Sequence, residues 1–489
     1  LRNSKLMTIM VATTLVTTAL AAGTAGAASA KPTSQAVNKA VNKAVVKKAV
    51  AYKVVDSSIN VNGSNVILKS ILVNQTPLYA VNDLAKALKV SATLSKGTIT
   101  LKDANSVHTV NIQPQSLKYL VNSANLTFKT APIAQDGRTY VELGAIVEAI
   151  GGEVITGQAD KVNRILTVKR LSGSFDTLHW DATGNIVVTK EDGETAQLYK
   201  LNKTTYGSEL LSTSASEGSI TVSPNGQLGA FIDDNNLLSI LTISSGQVQI
   251  VGSDTSVKTD LRWSADNKKV YFIQGDKQEK ISYISLDTGK ITQVLADKVE
   301  NKSDVRVSSD ETKIVYIVNI TGVAKTDKEG TEESLTIDYT GAGAQLYSLD
   351  LATKDAKPVQ LTNSNDNKLY PALLSGGNTL YMSADADNTT ATNVIKLVTA
   401  DGKSQDLVSN IDVTFEDVSY DGIIIVVGIA KDGSMKVIKV DANGTQVELF
   451  STKNDISEVA LSPDGTQLAV ISDGKVIVIT NGQQIQLTQ

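Results

Sequence analysis

From residue 171 onward, apolar residues come in short alternating runs such as LGAFI, KVYFIQ and QLAVIS, each closed by a cluster of Gly, Asn, Asp and Ser. Alternation with period two is the mark of a half-buried strand, and the polar clusters are hairpin turns. The runs repeat. An apolar strand, a turn such as SPNG or SPDG, and a second apolar strand recur with the turn starting at Asp181, Ser223, Ser264, Ser308, Leu374, Ser419 and Ser462. The steps are 42, 41, 44, 66, 45 and 43 residues. Five of them match the roughly 40–45-residue period of a four-stranded propeller blade. The long one carries an insertion from Gly322 to Ala344. Third and fourth strands, such as ISYISLDTG then TQVL, complete each repeat. A four-stranded sheet cannot bury both faces alone, so the blades must stack radially and close into a ring, with the first meeting the last directly.

Residues 54–170 show a different pattern, two similar halves of short strands and one helix each. Strands holding Tyr79 or Tyr140 lead into helices predicted from Asn82 to Leu88 and from Leu143 to Ile150. Asn82 reads as an N-cap and Gly151-Gly152 as a stop. Closing strands are expected at Thr98–Leu101 and Arg164–Val168. The predicted fold is therefore mainly β: a C-terminal β-propeller of seven four-stranded blades over 171–489, with six as the competing count, behind a duplicated α+β domain.

The N-terminus reads as targeting, not structure. Arg2 and Lys5 precede an apolar run over 6–22, and Ala28-Ser29-Ala30 is an A-x-A cleavage site that leaves Lys31 first. No later segment is apolar over 18 residues, so no membrane span is expected after cleavage. Residues 31–53 hold six Lys and no acid, whereas 171–489 hold 26 basic and 43 acidic residues. This basic arm is either a solvated linker or an adhesive for an anionic cell-wall polymer, and the acidic body argues against nucleic acid. With no cysteine there is neither disulfide nor thiolate site.

Chemistry can be sought in the propeller channel. One position before each turn is apolar: Trp180, Val222, Trp263, Val307, Leu373, Val418 and Leu461. The position before that holds His179, Thr221, Arg262, Arg306, Ala372, Asp417 and Ala460. By alternation the apolar column packs between blades, which leaves the second column to line the channel. Arg262 and Arg306 fall on adjacent blades and either clamp a carboxylate or phosphate or stay solvated. Asp417 belongs to a blade two further on, which by repeat order places it too far away to pair with both. No catalytic residues, metal or cofactor are expected. The chain has two His, His108 and His179, in different regions, and no G-x-S-x-G elbow. Asp233-Asp234-Asn236 and Asp385-Asp387-Asn388 resemble the start of a calcium loop without its Gly and distal Glu, and read as surface turns. Aromatics at 4% argue against a sugar cleft.

The stretch GRTYVELGAIVEAIGGEV, with its closing ILTVKR, resembles the copper amine oxidase N-terminal-like (stalk) domain, departing at Glu142 where a Pro is usual. The resemblance implies a spacer or envelope-associating module, common in secreted proteins of Gram-positive, spore-forming bacteria. It implies no copper here, because copper needs imidazole, thiolate or thioether ligands and the region holds only His108. The SPDG turn followed by LAV, with strands ending in DTG and LT, resembles the TolB-like (WD40-like) propeller family. That resemblance implies a platform for a protein or peptide partner, or an accessory domain of a peptidase. The reading that results is a secreted, extracellular, cell-wall-associated binding or scaffold protein. The alternative is a hydrolase of an envelope polymer with carboxylates at the propeller mouth.

Overall fold

The alternating runs of residues 171–489 fold, in a computed structural model, into seven four-stranded sheets, each with its strands in sequence order and antiparallel. The structure describes residues 51–489 apart from 157–162, 193–194, 214–219, 326–335, 339–340, 375, 386–387, 389 and 420. The expected cleavage site and residues 31–50 of the basic arm lie outside the described residues. The insertion in the fourth blade carries a separate hairpin, Val323–Lys325 paired with Thr336–Asp338. Among the described residues no helix is long and apolar enough to cross a membrane.

The turn that set the period is the same object in all seven blades. The N–H of the turn residue three positions on donates to the first residue's carbonyl, as in Gly226 to Ser223 and Gly465 to Ser462. That fourth residue has a positive φ in every blade: Gly184, Gly226, Asn267, Glu311, Gly377, Gly422 and Gly465. Glycine adopts this conformation without strain, which explains the SPNG and SPDG pattern. Where Ser leads the turn, its Oγ accepts the N–H of the next strand's first residues, at 3.0 Å from Leu228 and 2.9 Å from Gln467. The same hydroxyl donates to the side chain two residues on, Asn225 at 2.8 Å and Asp464 at 2.5 Å. A local side-chain network thus replaces the backbone partners that a tight turn removes.

Between blades the core is divided into seams. Trp263 packs with Ala230, Leu238 and Ile240 of the preceding blade, and its indole donates to the Thr221 carbonyl at 2.9 Å. Trp180 repeats this against the last blade, donating to Ala460 at 3.0 Å. The ring closes through that seam, where Phe175, Leu178 and Trp180 meet Ala469, Ile471 and Val478. Leu171 adds a parallel bridge to Thr488, and Gln489 donates to the Leu171 carbonyl at 2.9 Å.

Three adjacent blades admit a lysine into the seam. Lys258, Lys302 and Lys368 stand at or near the start of the inner strands of blades three, four and five and are buried. Each ammonium is caged by the loop before it. Lys258 donates to the carbonyls of Asn236, Asp254 and Ser256 at 2.6–3.0 Å and pairs with Asp254. Lys302 reaches Asp297 at 2.7 Å, and Lys368 reaches Asp366 at 3.0 Å. A buried ammonium is tolerable only with such full satisfaction.

The preceding domain contains β1 (Val55–Val61), β2 (Ser64–Val73), β3 (Thr76–Ala80), α1 (Val81–Ala87), β4 (Ser91–Ser95) and β5 (Thr98–Lys102). It continues with β6 (Thr109–Ile112), β7 (Lys118–Val121), β8 (Ala124–Thr127), β9 (Ile133–Gln135), β10 (Arg138–Glu142), α2 (Leu143–Ala149), β11 (Glu153–Thr156) and β12 (Asn163–Leu166). The duplication is visible as β3–α1–β4–β5 against β10–α2–β11–β12. The halves are joined, since β3 pairs antiparallel with β10, Tyr79 opposite Val141, inside one seven-stranded sheet. Strands β4 to β8 form a second sheet, and both helices pack into the core between them. Asn82 is not the cap expected. The N-cap is Ala80 with no side-chain bond, because the chain passes straight from β3 into the helix. Glu142, where Pro is usual, caps α2 by position, and its carboxylate accepts the N–H groups of Lys129 (3.1 Å) and Thr130. Gly151 has φ +79 and ends α2 as predicted. Arg170 ties this domain to the propeller: its guanidinium grips Glu153 at 2.8 and 3.0 Å and donates to the Gln486 carbonyl at 3.0 Å.

Candidate functional site: the propeller channel

The inner strands of the seven blades are Phe175–Trp180, Thr221–Val222, Lys258–Trp263, Lys302–Val307, Asn367–Leu373, Asp412–Val418 and Ile456–Leu461. Each sheet stands edge-on to the axis, so alternation on an inner strand sends side chains to the preceding or the following blade. The apolar column faces the preceding blade throughout, as Trp263 and Val418 show. The second column therefore points along the ring at the channel end of each seam, rather than straight into the channel as expected. Ala372 is buried in the seam with the sixth blade. His179, Thr221, Arg262, Arg306 and Ala460 are half-buried, and Asp417 is exposed.

His179 contacts the backbone of Ile220 on the next blade. Burial first, and then the charge of Arg262, pull its pKa down to about 4 against the attraction of Asp417. The imidazole is neutral at physiological pH and works as a staple between blades, like the Trp180 and Trp263 indoles. A neutral ring with so low a pKa is a poor general base.

Arg262 and Arg306 lie within electrostatic reach of one another. The Arg306 guanidinium is brought down to about 9, by burial first and Arg262 second, opposed by Asp304, Asp417 and Asp260. Asp417 pairs with neither arginine among the described residues, yet its charge acts on both His179 and Arg306. The channel is narrow enough that blades non-adjacent in sequence face each other. Arg306 donates to its own neighbour's carbonyl, Val305, at 3.0 Å. Among the described residues the side chains of Arg262 and Asp417 make no hydrogen bond or ion pair.

Three acidic residues of this site escaped the repeat alignment. Asp260 and Asp304 stand two positions before the arginines, both with φ +54, at bulges where the inner strand slips register. Thr177 and Tyr370 hold the same position and conformation in blades one and five. The Asp304 N–H donates to Asp260 at 3.0 Å, linking the two blades. Burial and the Asp304 charge raise the Asp260 carboxyl. The recurrence of D-x-R in DLRW and DVRV was the available signal. The third is Glu416, which faces the fifth blade with 2% exposure and no partner for either oxygen. Burial, then Asp417, push it well above the usual carboxylate range.

Among the described residues no three His, Cys, Asp or Glu side chains are grouped to hold an ion. His108 precedes β6. Its Nδ1 is 2.9 Å from Asp103, and its ring lies against Gly151, where a Cβ would come within 2.8 Å. One imidazole so engaged does not fit a copper site. Asp233 accepts the N–H groups of Asn235 and Leu237 at 2.8 and 2.9 Å, a turn closed on itself. Asp385 likewise accepts from Asn388 at 3.1 Å, and Asp387 lies outside the described residues.

No curated protein matches the chain. Solved structures similar to it include a puromycin hydrolase (12% identity, TM-score 0.47, covering 65% of this chain and 54% of that one). Another is the β-propeller domain of the Trilobed protease from Pyrococcus furiosus (12%, TM-score 0.44, 65% and 98%). A third is a putative TolB from Agrobacterium tumefaciens (15%, TM-score 0.37, 56% and 96%). For the domain built on the paired β3 and β10 there is a match by sequence: residues 60–165 match the family model of the copper amine oxidase N-terminal domain.

Proposed function

We propose that this is a secreted cell-envelope binding or scaffold protein whose propeller takes an anionic group of a protein or peptide partner at Arg262 and Arg306. The observation that supports this is the guanidinium pair itself. Two cations on neighbouring blades repel each other, and neither is ion-paired to a carboxylate among the described residues. A partner carboxylate would supply bidentate hydrogen bonds to both. Replacing both arginines by Ala is expected to leave the melting temperature nearly unchanged and to weaken partner binding by ~1.5–3 kcal/mol for each charged hydrogen bond lost. Unchanged affinity with an unchanged melt would move the binding surface elsewhere, to the loops and the insertion.

In the same reading the basic arm and the first domain associate with the envelope. Exposed lysines act over a Debye length of ~8 Å at physiological salt. Deleting residues 31–53 is expected to reduce sedimentation with cell walls at low salt, and added salt should mimic the deletion. Equal sedimentation of both proteins would make the arm a linker only.

One observation favours the hydrolase reading. Burial raises the Asp260 carboxyl beside that of Asp304, and a raised carboxyl next to a second one is a usual arrangement for polymer hydrolysis. That reading requires turnover of an envelope polymer that Asp260→Asn abolishes. The engaged, neutral His179 and the direct tie between Asp260 and the Asp304 backbone favour binding instead.

A further inference from the structure

The channel is not simply positive. Arg262 and Arg306 on the third and fourth blades are met by Asp260 and Asp304 beside them and by Asp417 on the sixth blade. Three carboxylates outnumber two guanidiniums, so a bare anion entering between the arginines gains their attraction and meets opposition from the rest. Asp260 is already engaged with the Asp304 backbone. Asp417 is different. It is exposed, its carboxylate is unpartnered among the described residues, and it opens on a cavity of about 70 Å³ between the sixth and seventh blades. Ser419, Ile425, Val459, Ala460 and Leu461 complete the wall of that cavity. Its chemistry is one carboxylate and one hydroxyl against an apolar wall, which suits a small ammonium with the end of its alkyl stem. Such a space is ample for a group the size of one or two waters.

An unpaired cation pair and an unpaired anion therefore share one narrow channel, close enough for Arg306 and Asp417 to influence each other yet not joined in an ion pair. All three side chains stand on inner strands, and a ligand carrying both charges would engage both poles. We infer that the channel ligand is zwitterionic: a compact group with a free carboxylate for Arg262 and Arg306 and a primary ammonium for Asp417, such as a peptide ending in lysine or another diamino acid. The inference rests on the proposal that the arginines receive a carboxylate, and adds the second pole.

Titration calorimetry of the full chain with N-acetyl-Ala-Ala-Lys tests it, beside the same peptide amidated at its C-terminus and the same peptide acetylated on its ε-amine. Amidation and ε-acetylation are each expected to weaken binding at least tenfold. In Asp417→Asn the free and ε-acetylated peptides should bind within twofold of each other, while the amide stays weak. In the Arg262→Ala/Arg306→Ala variant the amide should lose its disadvantage. If amidation weakens binding and ε-acetylation does not, the zwitterion is wrong and the carboxylate reading stands. If none of the three peptides binds, or binding ignores both modifications, the carboxylate reading fails and this inference falls with it.

Discussion

Lys302→Met is expected to destabilise the protein by ~3–5 kcal/mol, the usual result of breaking a buried ion pair from one side. Methionine nearly matches the stem of lysine in length and is apolar, so packing survives and the loss reports on charge. What it leaves behind is the Asp297 carboxylate, held at 2.7 Å in the native state, with the carbonyls of Glu279 and Val299. Lys302 has 0% exposure, so water does not replace the missing ammonium without opening the seam between blades three and four. Lys277→Met provides the contrast. Its side chain is 68% exposed and pairs with Glu300, a contact that solvent and salt largely screen. Urea unfolding of the two variants beside the parent decides the matter. Equal, small changes would mean the cage around Lys302 contributes nothing.

Glu416→Gln is expected to remove a pH dependence. The folded-state pKa of Glu416 lies well above that of the unfolded chain, so its contribution is fully present below the unfolded value, ~4.3, and is lost as pH rises toward the folded one. While the folded group stays protonated the loss is ~1.4 kcal/mol per pH unit. His179 has the opposite sign. Its folded pKa of about 4 lies below the unfolded ~6.5, so stability is lost as pH falls between those values. The two slopes oppose each other where their windows overlap, and the difference between the parent and the Gln variant isolates that of Glu416. Unfolding free energies above pH ~4.3 should therefore decline more steeply in the parent than in the Gln variant, by one proton's worth of slope, until the folded carboxyl ionises. Parallel curves would show that Glu416 ionises within the fold.

The turns and the apolar column were legible because their causes are local. Ser, Asp and Gly at fixed offsets fold the turn by bonds within six residues, and period-two alternation places Trp180 and Trp263 in the seams. What the repeats concealed was non-local. Lys258, Lys302 and Lys368 look like surface residues, and only the returning loop turns each position into a cage. Thr177, Asp260, Asp304 and Tyr370 adopt a left-handed conformation that favours Gly, held there by the flanking ladder. The bulge between Val413 and Phe415 precedes Glu416 and Asp417, and the two neighbouring acids end in opposite environments, one sealed and one open. Repeat order also measures distance along the chain, so it did not show that a narrow ring brings Asp417 within electrostatic reach of residues of blades one and four.

The clasp between Arg170, Leu171 and the segment from Gln486 to Gln489 has a kinetic consequence. The Arg170 bond to the Gln486 carbonyl spans 316 residues of sequence. Closing a loop of that length is entropically only ~0.6 kcal/mol dearer than closing one half as long, so the ring is not unstable for being large. It is late. The first blade has an unfinished edge until the seventh reaches it, and a nascent chain carries six stacked sheets with an open apolar seam at each end. Long-range closure of this kind is slow and exposes strands to wrong pairing. The step that decides whether a molecule becomes a ring or an aggregate is thus the arrival of its final strands at Trp180 and Leu171.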